Sequence, residues 1–460
     1  MISPETIAAV STPAGVGGIG IIRISGPQAL AVGRRIFVPL TAMAEWPSHR
    51  LLLGHIVDPH SGHKIDQVFL AYMKAPKTYT REDVVEIQCH SGPLVLKKIL
   101  ELALQSGART AEPGEFTLRA FLNGRIDLTQ AEGVIELIQA RSEQALFAAN
   151  KLLQGELQKT LNGLEAKLLD LLAQLEGSIE FPEEDLEPVD RHRWASELEE
   201  KVLGTLDRLI QDYDRGRLFR EGLSLVIVGK PNVGKSSLLN RLLQEERALV
   251  TPVPGTTRDT VEETLLLKGL PFRLVDTAGL RRSADLVEMA GIARTRDKIR
   301  EALVLLFVLD ISRPLDQEDL DIYREIQEKP MLLLGNKADL PRAVSEEEIR
   351  KRFPGPEILS ISALFGQGLE TLKDKLHALV TGLYFSETLP DLIPTVRQKT
   401  AFEEMSQALK RALTLTRENQ PPELVAFYLQ QALTTLGMLL GRITTEDVLE
   451  RVFSRFCIGK

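Results

Sequence analysis

The sequence predicts a multidomain α/β protein: an α+β N-terminal domain, an all-α helical domain, and an α/β domain inserted into the helical one. Three observations support this fold class. The chain has 460 residues, more than a single hydrophobic core usually serves. Its hydrophobic pattern changes from short strands to a helical period at Leu128. An alternating β/α pattern over residues 222–381 then separates two helical blocks.

The N-terminal domain is predicted to cover residues 1–120. Short apolar runs of the β type recur there, separated by clusters of Gly, Pro and Asp. One apolar helix is predicted over residues 94–104. The mixture indicates an α+β domain. The predicted strands include residues 19–24, 68–72 and 84–89.

The helical domain is predicted in two parts, residues 121–221 and 382–460. From Leu128 onward, apolar residues recur at steps of three and four, which is the period of a helix. Thr129 with Glu132 fits a capping box near its start. A second long helix is predicted over residues 194–217.

The C-terminal part of the helical domain is expected to order the end of the chain. Pro421-Pro422 should break it, and Thr444 with Asp447 should cap the last helix. That helix, predicted over residues 444–455, carries an apolar stripe that should pack and so direct the tail, Phe456-Cys-Ile-Gly-Lys460. The stripe consists of Val448, Leu449, Val452 and Phe453.

Composition limits the function classes. The chain has 56 basic and 64 acidic residues, a formal charge of −8, which argues against an indiscriminate nucleic-acid binder. Cys89 and Cys457 are its only cysteines and fit a reducing cytosol rather than a disulfide framework. The N-terminus lacks the pattern of a signal peptide. The longest apolar run, residues 302–309, is too short to cross a bilayer and suits a buried strand. We therefore expect a cytoplasmic protein with no membrane partner.

A phosphate-binding loop is predicted at Gly229-Lys-Pro-Asn-Val-Gly-Lys-Ser236. It follows an apolar strand at residues 223–228 and precedes a helical pattern, the context that this motif requires. Its glycines let backbone N–H groups converge on phosphate oxygens at a helix N-terminus. We expect Lys235 to neutralise the β- and γ-phosphates and Ser236 to bind Mg²⁺.

Two further segments predict the phosphate end of the site. Asp276-Thr-Ala-Gly279 ends another apolar strand, which should bring Asp276 beside Mg²⁺ and the Gly279 amide near the γ-phosphate. Gly255-Thr-Thr-Arg-Asp259 lies in the position of a switch loop, and we expect Thr257 to complete the Mg²⁺ ligands.

Two more segments predict the base. Asn336-Lys-Ala-Asp339 offers a carboxylate that accepts hydrogen bonds from N1 and N2 of guanine, which adenine cannot supply. Ser362-Ala-Leu364 matches the last loop that contacts guanine. Five elements in this order predict GTP and GDP as ligands of a Ras-like P-loop domain. The predicted contacts are Asn232, Val233, Gly234, Lys235, Ser236, Ser237, Thr251, Thr256, Thr257, Asp276, Thr277, Ala278, Gly279, Asn336, Lys337, Asp339, Ser362, Ala363 and Leu364.

The residue after Gly279 is Leu280, so the glutamine that orients water in Ras is missing. Another group must perform that task. Glu288 is one candidate, although a solvated helix face explains this glutamate equally well.

Several motifs together resemble the tRNA-modification GTPase MnmE (TrmE) family from end to end. They are Gly20-Ile-Ile-Arg-Ile-Ser-Gly26, Pro113-Gly-Glu-Phe116 with Arg119-Ala-Phe-Leu-Asn123, Phe181-Pro-Glu-Glu184, and the terminal Cys457-Ile-Gly-Lys460. The inserted position of the GTPase domain agrees with this resemblance.

The resemblance implies ligands and residue roles that the spacing of residues in the sequence does not indicate. The N-terminal domain would bind 5-formyl-tetrahydrofolate or a related one-carbon folate and would form a homodimer. The implied folate contacts are Arg23, Glu86, Arg125 (commonly lysine in relatives) and Lys460. The implied K⁺ ligands are Asn232, Thr251, Val253 and Thr256. Glu288 matches the catalytic glutamate, and Cys457 is a candidate nucleophile or proton shuttle.

The same resemblance implies a biological role. The protein would work with the flavoprotein MnmG as a hetero-oligomer to modify C5 of the wobble uridine in certain tRNAs. From the strand pattern alone, Glu86 shares a face with Gln88 and His90 and either lines a pocket or faces solvent.

Three other features of the sequence allow a different interpretation. Gly15-Val-Gly-Gly-Ile-Gly20 fits a dinucleotide fingerprint, but a strand rather than a helix follows it, so we reject that reading. Cys457 does not fit prenylation, because Gly459 is not aliphatic and Lys460 is not a usual last residue. The remaining alternative is a GTP-dependent ribosome-assembly switch without modification chemistry, which binding of a one-carbon folate would distinguish.

Overall fold

A computed structural model describes residues 5–13, 15–180, 190–246, 263–274, 299–384, 390 and 392–460. The chain forms two compact units. Unit 1 comprises Met1–Ile138, Lys151–Leu206 and Thr400–Lys460, and unit 2 comprises Gln139–Asn150 and Asp207–Lys399. The chain of unit 2 therefore interrupts that of unit 1, and the multidomain α/β fold class is confirmed.

Unit 1 contains a seven-stranded sheet with the order β3-β4-β5-β6-β2-β1-β7. Every pair is antiparallel except β1 with β7. Two helices, α1 (Ala29–Ile36) and α2 (Pro93–Gln105), pack on one face, where they share a core with the alternate residues of the strands. The strands are β1 (Ile7–Val10), β2 (Gly17–Ser25), β3 (Phe37–Pro39), β4 (Arg50–Val57), β5 (Lys64–Met73), β6 (Val84–Ser91) and β7 (Arg109–Thr110).

The alternation predicted for β6 is confirmed. Val85, Ile87 and Cys89 are buried against α1 and α2, whereas Glu86 lies on the opposite face. No helix opens after the glycine-rich segment at residues 15–20, because β2 runs through it.

The helices of unit 1 form a second core. The long helix α6 (Glu156–Glu180) packs against α14 (Pro422–Leu440), and the indole Nε1 of Trp194 donates a hydrogen bond to Leu171 O at 3.1 Å. Within the described residues, α14 is long and apolar enough to cross a membrane; Val425, Leu429 and Leu436 are among its buried residues, whereas Phe427 is exposed. The other helices are α3 (Glu115–Leu122), α4 (Leu128–Gln139), α7 (Arg191–Glu197), α13 (Val396–Arg417) and α15 (Glu446–Phe453), with a π-helical turn at Leu198–Leu203.

Both predicted helix caps are wrong by one or two residues. Asp127, not Thr129, caps α4: its Oδ1 accepts from Gln130 N at 2.8 Å. Thr445, not Thr444, is the N-cap of α15. In each case two residues of capping type stand within two positions of each other, so the pattern did not decide between them.

Unit 2 contains a six-stranded sheet with the order β13-β12-β11-β8-β10-β9, parallel except for the pair β9–β10. Both faces are buried, since alternate residues of β8, β11 and β12 belong to different cores. The strands are β8 (Leu223–Val228), β9 (Glu263–Leu267), β10 (Leu270–Leu274), β11 (Val304–Asp310), β12 (Met331–Asn336) and β13 (Glu357–Ser360). The helices are α5 (Glu143–Leu153), α8 (Gly204–Glu221), α9 (Lys235–Glu246), α10 (Gln317–Ile326), α11 (Glu346–Arg352) and α12 (Leu369–Tyr384).

Parallel pairing brings the carboxyl ends of β8, β11, β12 and β13 to one edge of this sheet. The predicted phosphate loop follows β8, the Asn-Lys-Ala-Asp segment follows β12, and the Ser-Ala-Leu segment follows β13. Ligands of open α/β sheets bind at such an edge.

Candidate functional site

The phosphate loop between β8 and α9 has a backbone that only small residues allow at two points. Gly229 has φ +150° and Gly234 has φ +102°. A Cβ on Gly229 would lie 2.3 Å from Val308 O, and one on Gly234 would lie 2.1 Å from Asn336 Nδ2. Asn232 also has a positive φ, 63°. Such a loop curls its N–H groups toward a common centre, which suits phosphate oxygens.

Lys235 is the first residue of α9 and holds its ammonium inside this loop. Its Nζ donates hydrogen bonds to Gly229 O at 2.7 Å and to Lys230 O at 2.6 Å. Burial lowers the pKa of Lys235, and the carboxylate of Glu318 offsets only part of that effect. A lysine ammonium has three donors, so the loop uses two of them and fixes the cation where an anion is to be bound.

Asn336 joins the phosphate loop to the base-binding segments. It ends β12 and is 2% exposed. Its Nδ2 donates to Val233 O at 2.8 Å, and its Oδ1 accepts from Ala363 N at 2.9 Å. One buried amide thus fixes three of the predicted segments relative to one another.

Asp339 and Ser362 meet at the opposite end of the site. Ser362 is fully buried and donates from Oγ to Asp339 Oδ1 at 2.5 Å. The Asp339 side chain itself is exposed. Its carboxylate is therefore held in one orientation while facing solvent, which suits an acceptor for a base.

Lys337 has φ +66° and donates from Nζ to Asp310 Oδ2 at 2.5 Å. Burial raises the pKa of Asp310, but the hydrogen bonds from Lys337 and Ser312 outweigh it, and the pKa is below its ordinary value. This ion pair joins the end of β11 to the Asn-Lys-Ala-Asp segment.

The remaining predicted nucleotide residues fall into two groups. Ser236 and Ser237 occupy the first turn of α9, Val233 and Ala363 are buried, and Leu364 is exposed. The others lie outside the described residues: Thr251, Val253, Thr256, Thr257, Asp276, Thr277, Ala278, Gly279 and Glu288.

One contact of the phosphate loop was missed from the sequence. Lys230 forms ion pairs with Asp316 at 2.6 Å and Asp319 at 2.8 Å. These two aspartates make the capping box of α10, and Asp319 is buried. The pattern Asp-x-x-Asp could have predicted the helix start, but nothing in it indicates Lys230 as a partner.

A second group of predicted residues meets in unit 1. Arg23 on β2 and Glu86 on β6 are directly paired, and Arg23 Nε donates to Glu86 Oε1 at 2.8 Å. The C-terminal tail reaches the same place, because Gly459 O accepts from Arg23 Nη1 at 3.4 Å and from Ser11 Oγ at 3.1 Å. Burial and the nearby Arg23 lower the pKa of Lys460, against the opposing effect of Glu86.

Arg125 belongs to this group through Tyr79, which the sequence did not indicate. The guanidinium carbon of Arg125 lies 5.2 Å from the centre of the Tyr79 ring, and that of Arg23 lies 5.9 Å from it. The Tyr79 hydroxyl is hydrogen-bonded to Thr117 Oγ1 at 2.9 Å. Tyr79 therefore contacts both of the arginines that were predicted.

The last helix packs as predicted. Val452, Phe453 and Phe456 are buried in a cluster with α4. The Cys457 side chain is exposed, and Lys460 N donates to Cys457 O at 3.3 Å. The tail is thus folded back on unit 1 beside the pair Arg23–Glu86, with its thiol accessible.

The phosphate loop, the buried asparagine bridge and the aspartate–serine pair at one edge of a largely parallel sheet define a P-loop protein of the GTPase class. Comparison with known proteins agrees. Residues 6–125 match the family model "GTP-binding protein TrmE N-terminus", and residues 128–457 match "MnmE helical domain". The chain belongs to the MnmE family of tRNA modification GTPases.

Curated relatives align over nearly the whole chain. The tRNA modification GTPase MnmE of Syntrophobacter fumaroxidans is 47% identical over 99% of this chain and 98% of its own length. That of Carboxydothermus hydrogenoformans is 44% identical over 99% of both. Among solved structures, Aquifex aeolicus Era bound to GDP and AlF4⁻ is 29% identical, covering 40% of this chain and 66% of its own, with a TM-score of 0.28.

Proposed function

We propose that this protein is a cytoplasmic GTP-hydrolysing enzyme that works with the flavoprotein MnmG to modify C5 of the wobble uridine in certain tRNAs, using a one-carbon folate. Membership of the MnmE family supports the role in tRNA modification. The observation that carries the finer proposal is the meeting of Arg23, Glu86 and the C-terminal Gly459-Lys460 in unit 1. A GTP-dependent assembly switch has no need of such a second site.

In the GTPase site, we assign phosphate binding to the loop N–H groups and to Lys235. The ammonium already fixed by two carbonyls would neutralise charge on the β- and γ-phosphates without a large rearrangement. The hydroxyl of Ser236, in the first turn of α9, suits Mg²⁺ beside this anionic centre, with Thr257 as a second ligand. Mg²⁺, when bound, would stabilise charge on the transferred phosphoryl group.

We assign the choice of guanine to Asp339. Its Oδ1 is engaged by Ser362, so the carboxylate cannot rotate freely, and the exposed oxygen is directed to accept from the base. Adenine has no donors for this carboxylate and would leave it without a partner, which would account for the preference for GTP.

We further propose K⁺ as a cofactor, with Asn232, Thr251, Val253 and Thr256 as ligands, and Glu288 as the residue that orients water. Asn232 is the member of this set that the structure describes; it has a left-handed backbone and is exposed on the phosphate loop. A cation there would supply positive charge near the phosphates. The apolar side chain of Leu280 can neither supply charge nor orient water.

The group of residues in unit 1 fits a folate by its chemistry. Glu86 offers an acceptor for the donor-rich edge of a pterin, whereas Arg23, Arg125 and Lys460 offer cations for carboxylates. Tyr79 adds a half-buried aromatic ring beside Arg23. The folate would supply the one-carbon unit, and Cys457 would act on it as nucleophile or proton shuttle.

A homodimer through the N-terminal domain is part of the proposal. Leu53 and Phe69 are directly opposite on β4 and β5, and they are 41% and 46% exposed. Leu51 and Val38 lie on the same face, which is continuous with that of Glu86. An exposed apolar face of this kind marks a protein interface, and a second copy of the chain would cover it. Leu53→Asp should reduce the dimer fraction in analytical ultracentrifugation.

Calorimetric titration of the full chain with 5-formyl-tetrahydrofolate tests the proposed function. We expect binding at micromolar concentration or tighter and at least about tenfold weaker binding by Glu86→Gln, which removes the negative charge that pairs with Arg23. Gln88→Glu, on the same face of β6, is the matched control. The absence of any binding by the wild-type chain would contradict the folate assignment and return the ribosome-assembly alternative to consideration.

A further inference from the structure

Two neighbouring arginines, one of them among the proposed folate-binding residues Arg23, Glu86, Arg125 and Lys460, have no acidic partner within the described residues. Arg81, in the loop between β5 and β6, donates from Nη1 to the carbonyl of Asn123 at 2.9 Å, and Arg125 donates to the carbonyl of Thr78. Neither forms an ion pair with any carboxylate in the part of the chain that the structure describes. Their charges are therefore not neutralised within it.

The acidic residues next to Arg81 in sequence are engaged elsewhere. Glu82 accepts from Arg119, at 3.0 Å, and from Ser25, at 2.7 Å. Asp83 accepts from the Tyr72 hydroxyl at 3.1 Å and from Ala75 N at 2.9 Å. Both carboxylates point back into unit 1, so they do not offset the exposed guanidinium of Arg81.

The two arginines without acidic partners extend the set of proposed folate-binding residues toward the protein surface. The guanidinium groups of Arg23 and Arg125 both contact the aromatic ring of Tyr79. Arg81 Nη1 lies beside the segment that carries Arg125, because a Cβ built on Gly124, the residue before Arg125, would lie 3.4 Å from it. Arg23 is half-buried, whereas Arg125 and Arg81 are exposed. The series thus runs from the Arg23–Glu86 pair to the surface.

The backbone of Arg81 is a second observation. Its φ is +59°, in the left-handed region that glycine adopts freely and most other residues avoid. A residue with a long basic side chain therefore occupies a position where glycine would be less strained. Strain of this kind is tolerated where the side chain serves a purpose.

We propose that Arg125 and Arg81 bind a polycarboxylate tail on the ligand of unit 1, so that the preferred ligand is a folate carrying several γ-linked glutamates. This inference rests on the proposed folate function. Each added glutamate supplies one carboxylate, and a guanidinium binds a carboxylate through two parallel hydrogen bonds. The first carboxylates would meet Arg125, and those further along the tail would meet Arg81.

A polycarboxylate fits this surface better than a nucleic acid does. RNA affinity comes from many phosphate contacts, and a chain of formal charge −8 with two neighbouring arginines of this kind offers few. A short anionic tail that begins at the proposed folate-binding residues needs only two or three cations to bind it.

The test compares folate binding with one and with five glutamates. For the wild-type chain, 5-formyl-tetrahydrofolate pentaglutamate should bind about three- to tenfold more tightly than the monoglutamate at low ionic strength, and less so at high salt. Arg81→Gly should abolish this difference, leave the affinity for the monoglutamate unchanged, and keep or raise the thermal unfolding temperature, since glycine suits the left-handed backbone.

Lys268→Gly is the matched control, because Lys268 also has a positive φ, 49°, and belongs to unit 2. It should keep the pentaglutamate preference. Equal affinities in the wild-type chain, or a preference that survives Arg81→Gly, would overturn the proposal. So would a loss of tRNA affinity in Arg81→Gly without any pentaglutamate preference, which would assign these arginines to RNA. If neither folate bound, the proposed function itself would have failed.

Discussion

The Nδ2 atom of Asn336 donates a hydrogen bond to Val233 O at 2.8 Å, which ties the end of β12 to the phosphate loop. The same amide accepts from Ala363 N through its Oδ1. A buried amide with both ends engaged transmits the position of one loop to the others, because leaving either partner unpaired is costly.

The first prediction concerns this bridge. Asn336→Ala would leave the Val233 carbonyl and the Ala363 N–H without a partner, a cost of about 1–3 kcal/mol to folded unit 2. We expect a lower thermal unfolding temperature and weaker GTP binding, measured by fluorimetry and calorimetry. Asn150→Ala, which removes an exposed amide of the same unit, should change neither. A variant of Asn336 with unaltered GTP affinity would contradict the bridging role.

The second prediction concerns base choice. Asp339→Asn replaces one of the accepting oxygens with a donor that guanine N1 and N2 repel, and xanthine supplies the complementary carbonyl. We expect preference to pass from GTP to XTP by a factor of about 10² or more in competition binding. Asp321→Asn, an exposed carboxylate on α10, is the control. If Asp339→Asn retained the wild-type preference for GTP, the assignment of Asp339 would be wrong.

Local sequence pattern predicted the elements that bear the GTPase site. The apolar run at residues 302–309 became the buried strand β11, and the loop glycines are at positive φ where the motif required them. Such features depend on the hydrophobic periodicity and the backbone sterics of one short segment. They can therefore be predicted from that segment alone.

Contacts between distant segments could not be predicted in this way. The pairing of Lys230 with Asp316 and Asp319 depends on how β8 and α10 pack. The contact of Tyr79 with two arginines depends on three segments that are distant in sequence, one of which is strand β2. The family resemblance predicted that Arg23, Glu86 and Lys460 act together. The strand pattern alone did not decide whether Glu86 lines a pocket or faces solvent.

The third prediction concerns hydrolysis and rests on Glu288, which lies outside the described residues. Without a water-orienting glutamine at Leu280, the rate should depend on a cation at the transition state, an effect worth about 10³ to 10⁵ in related enzymes. GTPase activity should be much higher in K⁺ than in Na⁺, and Glu288→Ala should lose it while keeping GTP affinity. Equal rates in the two salts would exclude the cation mechanism.

The fourth prediction concerns the docking of the C-terminal tail. Gly459 has φ +93°, and a Cβ there would lie 2.3 Å from Val10 O. Gly459→Ala should therefore displace the tail, break the contacts of its carbonyl with Ser11 and Arg23, and weaken folate binding about tenfold. GTP binding should be unchanged. Ile458→Ala, an exposed neighbour, is the control, and normal folate affinity in the Gly459 variant would refute the tail's part in the site.

The last prediction concerns the two thiols. Burial raises the pKa of Cys89 to about 11, and its Sγ donates to Gly20 O, so this thiol is unreactive. Cys457 is exposed, three residues before Lys460. Cys457→Ser should keep GTP binding and hydrolysis but abolish tRNA modification in the presence of the flavoprotein, whereas Cys89→Ala should keep both. Nucleoside analysis of the wobble uridine and a GTPase assay on the same preparation measure this, and normal modification by the serine variant would show Cys457 to be chemically inert.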